Sequence, residues 1–132
     1  MSAMHPIAQL LAIVAALLHV GFFYTESVAF RRPRTWARFG LTSQEQADIV
    51  RPMAFNQGFY NLFLAVGVVG GLILVDFASG AAVSAGIGIG KFALACMVFA
   101  GCVLLATSRR FRRPALVQAV PAALALMATL LP

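Results

Sequence analysis

Two side chains that can carry acid–base chemistry lie inside one long apolar segment, Pro6 to Phe30. His19 and Glu26 are seven residues apart, so on a helix they share one face about 20° apart. They are separated by about 10.5 Å along the axis, which is too far for a direct hydrogen bond. Because a carboxylate at membrane depth is costly, it marks a functional site by default. Glu26 is therefore the first candidate site residue.

The second apolar segment brings a set of amides. Asn56, Gln57, Tyr60 and Asn61 cover an arc of about 140° on one helix. Unpaired amides are expensive in hydrocarbon, so we expect this arc to face the His19/Glu26 face. Counting inward from the flanking arginines places Glu26, Asn56 and Gln118 in one layer, each about 7 Å deep, and His19 with Asn61 in a deeper layer. We expect Glu26 to bond, directly or through water, to Asn56, Gln57, Tyr60 or Gln118.

These residues support three functions. In the first, the polar layer is an intramembrane pocket near the cytoplasmic side that binds or moves a small polar or amphipathic ligand, with Glu26 as its charged anchor. In the second, His19, Glu26 and Tyr60 perform acid–base chemistry such as an isomerisation. In the third, the amides only join helices in a structural or assembly subunit. The candidate ligand-binding residues are His19, Glu26, Asn56, Gln57, Tyr60, Asn61 and Gln118.

The elements that must position these residues are membrane helices. The chain is 61% hydrophobic and only 11% charged, too little charge to cover a soluble domain of 132 residues. Its apolar runs are of bilayer-spanning length. The sequence predicts an all-α fold, a single transmembrane domain over residues 1–132 that forms a four-helix bundle. The predicted helices cover about 6–30, 52–75, 86–107 and 115–131.

The connector between the first two helices, residues 31–51, has structure of its own. Its LTSQEQAD stretch begins like a capped helix, with Thr42 or Ser43 as the N-cap. This pattern predicts a short interfacial helix, anchored by Trp36 and Phe39. Pro52 suits the first turn of the next helix.

Charge predicts the orientation. All nine arginines lie in the first and third connectors, and Lys91 is the remaining basic residue. By the positive-inside rule these connectors are cytoplasmic and both termini are extracytoplasmic. Because the arginines flank apolar runs, the net charge of +6 indicates membrane lipids rather than nucleic acid as a partner.

The remaining motifs indicate packing. Glycines four apart, Gly67 with Gly71 and Gly86 with Gly90, predict close-packing faces that could also join copies in a homo-oligomer. Cys96 and Cys102 are six apart on a predicted helix and cannot pair with each other. The sequence has no metal-type Cys/His cluster, and no metal or cofactor is predicted.

Five features of the sequence carry a resemblance to a known family: His19, Glu26, the FGL string at 39–41, the NQGFYNLFLA string at 56–65 and Gln118-x-x-Pro121-Ala122. In this combination the chain resembles the domain-of-unknown-function family thirteen-oh-four. The resemblance covers nearly the whole chain, and the NQGxYNxFLA string is its most specific part. It implies a small bacterial four-span protein of the inner membrane and supplies no established activity. All seven candidate residues match its pattern.

Overall fold

The structure, a computed structural model, describes residues 4–131 and is helical along nearly this whole length. The helices are α1 (Pro6–Phe23), α2 (Pro33–Trp36), α3 (Gln44–Phe77), α4 (Ala81–Thr107) and α5 (Arg112–Ala128). A π-helical turn, Tyr24–Val28, continues α1, and 3₁₀ turns cover Ala37–Phe39 and Arg109–Phe111. The predicted all-α fold is confirmed.

Three helical segments are long and apolar enough to cross a membrane. They are Pro6–Val28, Gln44–Phe77 and Ala81–Thr107, with 23, 34 and 27 residues. An α-helix needs about 20 apolar residues for this purpose. The chain therefore has the segments of a multi-pass membrane protein.

The start of α3 corrects the sequence prediction. The predicted cap is present, because Ser43 Oγ accepts a hydrogen bond from the Gln46 N–H at 3.2 Å and Gln46 Oε1 accepts one from the Thr42 N–H at 3.0 Å. The capped segment does not stop as a separate interfacial helix but runs on into the membrane span. Pro52 consequently lies inside α3, where its missing N–H removes one helical hydrogen bond. The apolar run that follows is long enough to outweigh that loss.

The chain divides into two compact units. The first unit comprises residues 4–18 and 64–131, and the second unit comprises residues 19–63. α1 and α3 each contribute residues to both units.

The first unit has a core of small side chains. Seven of the ten residues in its main cluster are alanines, and the other three are Val68, Leu94 and Met97. Small side chains let helix backbones approach closely, which is how helices associate where lipid is as apolar as the core. At one end of this unit Gln9 Nε2 donates a hydrogen bond to Asp76 Oδ1 at 2.9 Å.

Glycines make the closest of these approaches. A Cβ added to Gly71 would lie 2.7 Å from the carbonyl oxygen of Gly86 and 2.9 Å from the nitrogen of Gly90, so α3 and α4 pack backbone to backbone. A Cβ on Gly101 would lie 2.7 Å from the Cβ of Ala119, which brings α5 equally close to α4. Gly71, Gly86 and Gly90 are thus buried within one chain. The homo-oligomer stays a prediction. The glycine faces of α3 and α4 that were expected to form it already contact each other within the chain.

Candidate functional site

Glu26 lies in the centre of the π-helical turn in the second unit. The Ala29 N–H donates to the Tyr24 carbonyl oxygen at 2.8 Å, the i to i+5 hydrogen bond of a π-helix. Such turns are rare and occur often at functional sites. Here the turn accommodates one extra residue, so the side chains after Phe23 leave the register of α1. The sequence prediction assumed an unbroken α-helix to Phe30 and missed this change.

Asn61 is the partner of the Glu26 side chain. Its Nδ2 donates a hydrogen bond to Glu26 Oε2 at 2.8 Å. Asn61 is only 5% exposed, whereas Glu26 is half-buried. The amide is thus fixed in the interior of the unit, where it holds one oxygen of a carboxylate whose side chain is only partly buried.

Gly58 allows α3 to approach the π-helical turn. A Cβ at Gly58 would clash with Ser27 Oγ and would lie 3.1 Å from the Cβ of Glu26. Without that Cβ, Ser27 Oγ reaches past the glycine and donates to the carbonyl oxygen of Phe55 at 2.8 Å. Two hydrogen bonds therefore attach the turn to α3, one from Ser27 to Phe55 and one from Asn61 to Glu26.

Aromatic rings pack around the same stretch of α3. Phe23 meets Phe59 edge to face, with ring centroids 5.1 Å apart, and Phe59 also contacts Phe55 at 5.0 Å and Phe63 at 6.1 Å. Edge-to-face pairs of this kind add to the stabilisation from burial. The Phe23–Phe59 contact is a further link between α1 and α3 within the second unit.

His19 lies in the same unit but is completely buried. Its ring packs edge-on against Phe22, with centroids 5.3 Å apart. Within residues 4–131, no group of three or more His, Cys, Asp and Glu residues is arranged to hold a metal ion.

The rest of the predicted polar arc does not face Glu26. Asn56, Gln57 and Tyr60 are exposed, and Tyr60 is 58% exposed. Asn56 precedes Asn61 by five residues and so points about 140° away from it around the helix. Gln118 is half-buried on α5 and belongs to the first unit. The direct side-chain partner of Glu26 is Asn61, so the expected direct hydrogen bond to Asn56, Gln57 or Tyr60 is wrong. A bond through water, and any contact with Gln118, stay predictions.

The depth count failed for a physical reason. It counted about 1.5 Å per residue from Arg31 to Glu26, but the π-helical turn around Glu26 ends at Val28, before Arg31. The count therefore assigned Glu26 and Asn61 to different layers, although they pair with each other.

Sequence reasoning also missed Ser27 and Gly58. Gly58 carried a readable signal, since a glycine inside a spanning helix often marks a close backbone approach. Ser27 carried none, because a serine near a helix end usually bonds to its own backbone.

These features define a class: a multi-pass helical membrane protein with a carboxylate–amide pair inside its membrane-spanning segments. A family model described as "Protein of unknown function (DUF1304)" matches residues 13–130. The chain belongs to this family, as its sequence motifs indicated. No curated protein and no solved structure shows a significant match to the chain.

Proposed function

We propose that this protein is a four-span protein of the bacterial inner membrane that binds a small polar or amphipathic ligand at Glu26. α5 would be the fourth span. Its 17 residues begin with Arg112 and Arg113, and the helix after them extends about 22 Å, somewhat less than the thickness of a hydrocarbon core. Arginines flank it at its start, as they flank the other candidate spans.

The arginine loops would be cytoplasmic and both termini extracytoplasmic. Alkaline phosphatase fused after Pro132 should then be active, and a fluorescent protein that matures only in the cytoplasm should be dark at the same site. The opposite pair of results would overturn the orientation, and with it the placement of Glu26 near the cytoplasmic side.

The observation that carries the binding function is the hydrogen bond from Asn61 to Glu26 Oε2 at 2.8 Å. The buried amide orients the carboxylate of a side chain that is itself only partly buried. A residue that only joined helices would have no need of a negative charge, since an amide forms the same contact without the cost of holding a charge there. The arrangement suits a ligand that presents a cationic or N–H donor group.

Binding is favoured over the acid–base alternative by the environment of His19. A general acid or base must come within hydrogen-bond reach of its substrate. The His19 ring is completely buried against Phe22.

The test is Glu26→Gln, which keeps the shape and removes the charge. We expect the variant to melt within about 2 °C of the wild type in detergent. We also expect native mass spectrometry to detect a bound small molecule in the wild type and none in the variant. Glu45→Gln is the matched control, because it makes the same chemical change at an exposed residue in the first turn of α3.

Two results would contradict the binding function. One is a wild-type sample that carries no small molecule after mild extraction. The other is a Glu26→Gln protein that melts far below Glu45→Gln, because Glu26 would then be a structural residue.

A further inference from the structure

The charged residues between Glu26 and Glu45 are all positive. The second unit has no acidic residue between Glu26 and Glu45, and in that interval it carries Arg31, Arg32, Arg34 and Arg38. All four arginines are exposed. Arg31 follows the π-helical turn through a second turn, which the Arg32 N–H closes by donating to the Ala29 carbonyl oxygen at 3.0 Å.

This arrangement discriminates between ligands. A simple cation that approaches Glu26 from the arginine side is repelled by four like charges, and salt weakens that repulsion. A ligand that also carries an anionic group is attracted by the same arginines, whose guanidinium forks pair with phosphate or carboxylate in bidentate geometry. The positive segment therefore selects for a ligand with both charges.

The carboxylate restricts the cationic group. Asn61 Nδ2 already donates to Oε2, and a carboxylate offers further acceptor positions that an N–H group can use. A primary ammonium can donate such a hydrogen bond, whereas a quaternary ammonium has no N–H. Two consecutive turns, closed by the Ala29 and Arg32 N–H groups, separate Glu26 from Arg32, so the two charges of the ligand should be a few bonds apart.

We propose that the Glu26 site binds a zwitterion. The primary ammonium group of this ligand donates a hydrogen bond to Glu26, and its phosphate or carboxylate, a few bonds away, is held by Arg31 and Arg32. This inference rests on the proposed function and names its ligand class. The chemistry is shared by soluble aminoalkyl phosphates and by the headgroup of phosphatidylethanolamine.

The test uses the full chain in phosphatidylcholine nanodiscs with three probes in calorimetric titrations. The probes are phosphoethanolamine, ethanolamine and inorganic phosphate. We expect phosphoethanolamine to bind at least about tenfold more tightly than either fragment, the scale of one charge-assisted hydrogen bond. Glu26→Gln should reduce phosphoethanolamine binding to the level of phosphate.

The double variant Arg31→Gln/Arg32→Gln should reduce phosphoethanolamine binding to the level of ethanolamine. Its matched control is Arg109→Gln/Arg110→Gln, which removes the same charge from the other arginine loop and should leave the preference for phosphoethanolamine intact. Phosphocholine, which has no N–H, should bind no better than phosphate.

The outcomes separate the inference from the proposed function. If ethanolamine binds as tightly as phosphoethanolamine and Glu26→Gln abolishes both, the cation site stands and the zwitterion is overturned. If no amine binds and Glu26→Gln changes nothing, both are overturned. Nanodiscs of phosphatidylethanolamine distinguish a lipid ligand from a soluble one. If the lipid headgroup occupies the site, phosphoethanolamine should no longer bind there. If the ligand is soluble, phosphoethanolamine should bind as it does in phosphatidylcholine nanodiscs.

Discussion

The two units of this chain are built from different side chains, although α1 and α3 contribute to both. The first unit packs alanines and glycines, with Gly71 and Gly86 in backbone contact. The second unit contains a carboxylate–amide pair and a separate set of contacts between phenylalanine rings. In the first unit Gln9 bonds to Asp76 at one end.

This difference in side chains suits the first unit to rigid packing and the second unit to specific recognition of a ligand. Backbone packing through small residues tolerates almost no added volume and offers no group for recognition. Glu26 is costly in a membrane span, and the second unit holds it with one side-chain donor on a rare backbone turn. In the proposed function, the first unit would support the fold and the second unit would carry the ligand site.

The largest effect that this comparison predicts is at Gly86. Gly86→Ala places a Cβ 2.7 Å from the carbonyl oxygen of Gly71 and 2.7 Å from the Cβ of Leu74. A carbonyl of the backbone cannot rotate away, so α3 and α4 must separate. We expect a loss of about 1–3 kcal/mol in the free energy of unfolding, seen as a melting temperature lowered by roughly 5–10 °C.

Gly88→Ala is the matched control on the same helix, because nothing lies within 4 Å of its added Cβ. It should raise the stability slightly, since alanine forms helices better than glycine. If both variants melt alike, the close packing of the first unit does not support the fold.

A smaller effect with a functional consequence is expected at Gly58. Gly58→Ala forces Ser27 Oγ away and crowds the Cβ of Glu26. Ser27 is flexible and can give way, so the cost is about 1 kcal/mol, that of its hydrogen bond to Phe55. Glu26 nevertheless moves relative to Asn61, and we expect the bound ligand to be lost while the protein stays folded.

Native mass spectrometry and a melting curve check this prediction together. Gly21→Ala is the control in α1, where an added Cβ meets nothing within 4 Å. Ligand retention in Gly58→Ala equal to that in Gly21→Ala would show that the close approach of α3 does not position Glu26.

The two units also differ in how well the sequence predicts them. The spans follow from long apolar runs, and the glycines four apart predicted the close-packing faces that α3 and α4 form. In the second unit, Glu26 and Asn61 were both selected as candidates, but as members of different layers. Their pairing depends on the π-helical turn and on α3 continuing through Arg51 and Pro52. Neither has a local signal, because π-helical turns have no strong propensity pattern and proline usually ends a helix.

The smallest effect is expected at Asn61 itself. Asn61→Leu removes the amide that donates to Glu26 Oε2 and replaces it with a side chain of similar size. Polar contacts between membrane helices contribute only about 0.6 kcal/mol on average, because the separated helices find other partners. Because the Glu26 side chain is only partly buried, its carboxylate can regain a donor from water or headgroups. The melting temperature should therefore fall by only about 2–4 °C, while ligand affinity falls more steeply because the carboxylate is no longer oriented. A calorimetric titration beside a melting curve separates the two quantities. A large loss of stability with unchanged affinity would reverse the assignment, and the carboxylate–amide pair would then be a structural contact like those of the first unit.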